Sequence, residues 1–346
     1  VNSRSFVVRL VVLALVTGST VAGAQLSPPA APAASVLPDA VLFKRIDSLV
    51  AATPAFSGVI AVGKRGAIVY LAAAGLTKPG GTKPTSTTAF NLGSINKVFT
   101  EILVRQTAAE QGWSLDTTLA ALWPDYPNQT VAQAITIRQL LRHTSGVQGN
   151  IFAGDSAARG KRRVLRDYLP TFVDNPLQFK PGARESYSNA GYVLLGLLLE
   201  QRTKRSYYEL VDERIYRFTG MTSAGYFARD SLPEFAAVGT TQRSVAGDPL
   251  DAPRLNKGSL PGRGSSAGGG YASAQDLLLF VQALRDKRIP QGPPPGIGVA
   301  GGSPGVNADV EGALPGDRDL VILANVDPPM AETLSKIIRG WLGVKD

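Results

Sequence analysis

Ser94 and Lys97 stand three residues apart, and those two side chains at that spacing can do chemistry. A serine hydroxyl attacks a carbonyl only when a neighbour takes its proton, and a lysine amine can do this in place of histidine. Phe90-Asn91-Leu92-Gly93 precedes them as an extended run ending on glycine. From there Ile95, Val98, Phe99 and Ile102 recur at i, i+3, i+4 and i+7, which predicts a helix with one buried face. Ser94 then opens the helix, with Lys97 one turn on along the same face. The free N–H groups and partial positive charge of a helix start suit a developing oxyanion. The same residues have a plainer reading. Ser-x-x-Lys recurs by chance in long chains, and a serine at a helix start is ordinarily an N-cap.

Tyr187-Ser188-Asn189 follows the turn Pro181-Gly182 and precedes an apolar run from Ala190. At a loop–helix junction, Tyr187 and Asn189 can reach one cleft. A phenol near a lysine can act as a base, because the cation favours phenolate. Alternatively the tyrosine packs at a helix start with Asn189 as its cap.

Several elements must position these groups. Val41, Leu42, Ile46, Leu49 and Val50 predict an amphipathic helix, followed by strands at Gly58–Val62 and Ala67–Leu71 about the turn 63–66. Helical patterns dominate from 94 to about 220, including Ile137–Arg142, Ala190–Glu200 and Tyr207–Phe218. Another covers Asp276–Leu284. Strands return at Val306–Leu314 and Leu320–Val326, and a last helix carries Met330, Leu334, Ile337, Ile338 and Trp341 on one face. This order predicts an α+β fold, with one antiparallel sheet built from both chain ends and a helical region inserted between them.

The ends and the composition narrow the classes. Residues 1–24 read as a signal peptide, with Arg4 and Arg9 before the apolar run Leu10–Val16 and a small-residue site at Ala22-Gly23-Ala24. Residues 25–37 read as a Pro/Ala-rich linker and 38–346 as the folded domain, its α/β part being 38–93 and 265–346 and its helical part 94–264. That predicts a periplasmic or secreted protein with no integral membrane span after cleavage. Loss of Arg4 and Arg9 takes the net charge from +9 to +7. The chain has one histidine and no cysteine, so a zinc site, a disulfide and a thiol nucleophile are not expected, and no cofactor is called for. The basic cluster Arg159–Arg163 lacks interleaved aromatics, so nucleic acid is not an expected partner. Two generic motifs lack their context. Gly264-Ser265-Ser266-Ala267-Gly268 has no strand before it, and the Gly-x-Gly-x-x-Gly of 296–301 follows prolines and opens no helix.

Beyond Ser94–Lys97 and Tyr187–Asn189, the chain carries Leu140-Leu141-Arg142-His143-Thr144-Ser145-Gly146, Thr219-Gly220-Met221 and Gly268-Gly269-Gly270-Tyr271 in order. With these it resembles the class C serine beta-lactamases and their relatives, the penicillin-binding DD-peptidases, D-amino acid peptidases and esterases. The resemblance runs from about residue 38 to the C-terminus. It implies acylation of Ser94, proton movement by Lys97 and Tyr187, and substrate holding by Asn189. His143 is implied to be structural.

The family's third motif, Lys/His-x-Gly, is altered here. Its cationic position falls on Val299 or Ala300, while the glycines persist in Gly301-Gly302-Ser303. A backbone N–H of Gly302 or Ser303 is then expected to join that of Ser94 in binding an oxyanion. The segment between Arg285 and Gly298 is short and proline-rich, so the sheet is expected to lack a strand there, with the oxyanion segment hanging from a loop. Loss of the cation favours neutral esters or small amides. The alternatives are a beta-lactamase or D-Ala-D-Ala carboxypeptidase acting on beta-lactams or cell-wall peptide, and a degenerate relative that only binds ligand.

Overall fold

A computed structural model of the chain describes residues 37–293 and 296–344. The leader-like residues 1–24, the linker as far as residue 36, and Pro294 and Pro295 lie outside the described residues.

Strands β1 (Gly58–Lys64) and β2 (Ala67–Ala74) form the expected hairpin. Strands β3 (Gly298–Ser303), β4 (Val306–Leu314) and β5 (Arg318–Ala324) complete an antiparallel sheet in the order β2-β1-β5-β4-β3. Side chains alternate across a strand, and here both faces are covered. Val59 and Ala61 of β1 enter one core with Val321 and Leu323, while Ile60 and Val62 enter a second with Leu320 and Ile322. That is why β1 and β5 read as continuous apolar runs rather than as alternating ones.

Among the described residues, five longer helices build the two cores about the sheet. Helices α1 (Asp39–Ala51) and α5 (Met330–Trp341) cover the second core through Leu42, Ile46, Leu334 and Ile338. Each such buried aliphatic side chain contributes about 1.5–3 kcal/mol. Helices α2 (Asn96–Gln111), α3 (Asn189–Thr203) and α4 (Ala274–Arg285) pack into the first core. All of Ala190–Leu199 is buried, which accounts for the unbroken apolar run. The chain is therefore α+β, with its sheet drawn from both ends of the sequence.

Three local features differ from the sequence reading. The nucleophile candidate does not open the helix: Gly93–Ile95 is a single 3₁₀ turn, and α2 starts at Asn96. Within the helical region, Thr240–Arg243 and Pro249–Leu255 pair as a small hairpin that the sequence pattern did not reveal. The third difference concerns β3. No strand occupies 286–293 or 296–297, as expected, but Gly298–Ser303 does not hang from a loop. It pairs with β4 at every position from Gly298↔Glu311 to Ser303↔Val306.

Candidate active site

Ser94 sits where three segments meet. The two-residue pairing of Phe90–Asn91 with Tyr271–Ala272 delivers the chain to the 3₁₀ turn. Gly93 has φ 51°, and a Cβ there would lie 2.7 Å from the Gly302 nitrogen. A Cβ on Gly301 would lie 2.1 Å from the Leu92 carbonyl and 2.7 Å from the Ser94 nitrogen. Glycine at both positions lets β3 close against the turn. This brings the backbone of Gly302 and Ser303 into the pocket that Ser94 lines.

Ser94 does not cap the helix; no cap hydrogen bond from a side chain forms there. Its Oγ instead shares a 2.5 Å hydrogen bond with Tyr187 Oη and lies 3.1 Å from Lys97 Nζ. Ser188, not Asn189, caps α3 by accepting from the Gly191 N–H. Asn189 is left free to turn its Oδ1 to Lys97 Nζ at 2.8 Å. Ser94, Lys97, Tyr187 and Asn189 therefore come together, and Gly302 and Ser303 line the same pocket.

Lys97 is buried and its charge has no carboxylate partner among its polar contacts. It donates to Asn189 Oδ1 and, at 2.5 Å, to the Ala267 carbonyl, with Ser94 Oγ as the third neighbour. Its amine lies 4.7 Å from the Tyr187 ring centre and 5.4 Å from that of Tyr192. Burial drives its pKa well below the ordinary lysine range. A neutral amine has two N–H donors and one lone pair. Both donors are taken by fixed carbonyl oxygens, which leaves the lone pair for the Ser94 proton.

Burial also pushes the Tyr187 phenol up to about 12, partly offset by the bond to Ser94. The sequence reading of a phenolate favoured by an ammonium is thus reversed. Removal from water disfavours both ions, which shifts the pair towards amine and phenol.

His143 lies between the rings of Tyr187 and Tyr192, at 4.7 and 5.0 Å. Its Nδ1 accepts the Ser188 N–H at 3.0 Å, its carbonyl accepts the Ser186 N–H at 2.8 Å, and burial followed by the Lys97 charge lowers its pKa to about 4. It is a neutral support for the tyrosine loop. Gln148 adds to that support by donating to the Tyr187 carbonyl at 3.2 Å.

Residue pattern alone missed Gln148, the Ala267 carbonyl and Asn96, whose Oδ1 accepts the Gly270 N–H at 2.8 Å. A local signal existed only for the last two, in the glycine-rich run 268–270. The pocket opens to solvent and, with the space at its mouth included, encloses about 670 Å³. Ile151, Phe152, Tyr168, Phe227, Leu260 and Pro261 form its apolar walls.

A family model described as beta-lactamase matches residues 44–296. Protein flp of Staphylococcus aureus (strain MRSA252) is 30% identical over 159 residues, covering 45% of this chain and 32% of that protein. Penicillin-binding protein 4 of Amycolatopsis lactamdurans is 28% identical over 248 residues, covering 71% of this chain and 64% of that protein. The chain thus spans about a third of the length of the first relative and just under two thirds of the second. Among solved structures, a penicillin-binding protein from Bacillus halodurans superposes with a TM-score of 0.72 at 27% identity, over 85% of this chain and 99% of that one. With the family model spanning most of the chain and the serine, lysine and tyrosine gathered at one pocket, the chain belongs to the beta-lactamase family of serine hydrolases.

Proposed function

We propose that the protein hydrolyses carboxylic esters or small amides through an acyl-enzyme on Ser94. The observation that carries this is the polar environment of Lys97, two carbonyl acceptors and Ser94 Oγ around a buried amine. In the reaction so read, Ser94 Oγ forms a bond to the substrate carbonyl carbon while its proton passes to Lys97 Nζ. The oxyanion meets the backbone N–H groups of Ser94 and of Gly302 or Ser303. Tyr187 gives its proton to the departing oxygen or nitrogen as the old bond breaks, and recovers one from Lys97. Water then releases the acyl group by the reverse sequence. Asn189 holds the substrate and the amine together. The apolar walls of the pocket support an apolar acyl or leaving part, and Val299 and Ala300 offer no cation from β3.

Turnover of short-chain aryl esters is the direct test. Ser94→Ala and Lys97→Ala are each expected to lose at least about 10³-fold in kcat/KM with folding retained. Folded wild-type protein that turns over no ester or amide and takes no fluorophosphonate label would sink the reading in favour of ligand binding without catalysis.

A second reading has a specific observation behind it, the 27% identity to a penicillin-binding protein structure covered almost end to end. Covalent labelling by a fluorescent penicillin at Ser94 separates the two: the ester reading expects fluorophosphonate labelling alone. We further propose that the enzyme works in the periplasm or outside the cell, on the strength of the leader-like first residues. A mature N-terminus at Gln25 would support it, and retention of Arg4 and Arg9 in a cytoplasmic protein would refute it.

A further inference from the structure

Arg229 is the one charged residue lining the Ser94 pocket among the described residues. It comes from a loop rather than from the sheet. Its Nη1 donates to the carbonyls of Lys257 and Leu260 at 3.0 and 2.7 Å, and its Nη2 to that of Ser156 at 2.8 Å. These bonds fix the plane of the guanidinium but employ only three of its five N–H groups, and none neutralises it. The neighbouring carboxylate, Asp230, is paired with Arg163 instead. Further positive charge stands behind the wall. Arg159 donates to the carbonyls of Gly154 and Gly258, and Arg162 to that of Ala153. Both side chains are more than nine-tenths buried, and Arg159 Nε and Arg162 Nη1 have no hydrogen-bond partner. Burial, then the charges of Arg229 and Arg162, lower the pKa of Arg159, against a smaller opposing effect of Asp155. A pocket lined by one sign of charge, with apolar walls, concentrates ligands of the opposite sign.

We propose that Arg229 receives a carboxylate at the end of the substrate remote from the scissile bond. This rests on the ester or amide hydrolase reading and narrows it to substrates carrying an anionic group. The recognition that β3 lacks, with Val299 and Ala300 in place of a cation, is supplied by a different element. Phe152, Phe227 and Leu260 then contact the apolar chain between the two polar ends.

Two measurements separate this assignment from the hydrolase reading. Equilibrium binding of 4-phenylbutyrate and of the uncharged 4-phenylbutanol to Ser94→Ala protein needs no turnover. The anion is expected to bind about ten-fold more tightly, as one charge-assisted contact provides. Adding Arg229→Gln, which also frees the Leu260 carbonyl and so can weaken both probes, should bring the ratio of anion to alcohol affinity to about one. Equal binding of the two probes to Ser94→Ala, or an equal loss of both on Arg229→Gln, would overturn the assignment. Should Arg229→Gln not fold, Arg229→Lys decides. An anion-to-alcohol preference weakened several-fold supports it, and an unaltered preference, whether or not both probes bind more weakly, overturns it. In turnover, Arg229→Gln should raise the KM of the 4-nitrophenyl hemiester of glutaric acid about ten-fold more than that of 4-nitrophenyl butyrate. If wild type hydrolyses neither ester, the hydrolase reading falls while the binding contrast still judges Arg229. If it hydrolyses both and the contrast is absent, only the Arg229 assignment falls.

Discussion

An amine buried among two tyrosine rings, an amide and a main-chain carbonyl is useful to Ser94 only when uncharged. Because the Lys97 pKa is lowered, kcat/KM should be present above its folded value and decline as pH falls through it, well below the ordinary lysine range. The other two ionisable neighbours should leave that limb alone. Tyr187 stays a phenol until about pH 12, and His143 stays neutral above about pH 4. His143→Gln, which keeps an acceptor for the Ser188 N–H, is expected to lower kcat about ten-fold through misplacement of Tyr187 without moving the acid limb. A limb displaced by that variant would show that the imidazole titrates in the reaction. At this scale the sequence was informative because each functional pair is local. Ser94 and Lys97 lie within one turn, and Tyr187 and Asn189 flank one helix cap. What stayed hidden are contacts between distant segments, such as the Ala267 carbonyl on Lys97, 170 residues away in sequence.

Strand β3 decides whether the oxyanion side of the pocket is rigid. Gly-rich and without alternation, Gly298–Ser303 has little strand propensity of its own, so it read as hanging from the proline-rich loop before it. Pairing with β4 overrides that propensity, and side chains behind the sheet hold the result. Asn307 donates to the Gly301 carbonyl at 3.2 Å and accepts the Ala331 N–H at 2.5 Å, tying β3 to the start of α5. Asp327 accepts from the Gly305 N–H in the β3–β4 turn and from Thr241 in the small hairpin. Asn307→Ala is expected to cost about 2 kcal/mol in chemical denaturation and to lower kcat as the oxyanion backbone loosens. Gly301→Val, which drives a side chain into the Leu92 carbonyl, should abolish turnover. A Gly301→Val protein of wild-type activity would mean that β3 does not close on the Ser94 turn.

Across the whole molecule, the sheet drawn from both chain ends keeps a buried carboxylate on its α5 side. Burial pushes Asp309 up to about 8, with smaller effects from Ser335, Glu311, Glu332 and Arg339 around it, and burial also raises Glu332. The folded value of Asp309 lies above its unfolded one, so the folded state holds the proton between about 4 and 8. Stability is therefore unpenalised at low pH and lost progressively as pH rises through that window. Asp309→Asn should raise the melting temperature by at least about 2–4 °C at pH 9, with a smaller gain at pH 5. An equal gain at both pH values would show that the carboxyl does not change protonation on unfolding. The α+β architecture was legible because periodicity marks long elements well. The hairpin of the helical region, exposed along most of Pro249–Leu255 and interrupted by Pro249 and Pro253, gave no such pattern.

On the proposed mechanism, Lys97 makes Ser94 a nucleophile in the folded protein. Peptide mass mapping after fluorophosphonate treatment at neutral pH tests it most directly, with wild type and Lys97→Ala treated in parallel. A single adduct is expected on the peptide carrying Ser94, formed at least about 10²-fold more slowly in Lys97→Ala. An adduct on another residue, no adduct in folded wild type, or an unchanged rate without the lysine would contradict it.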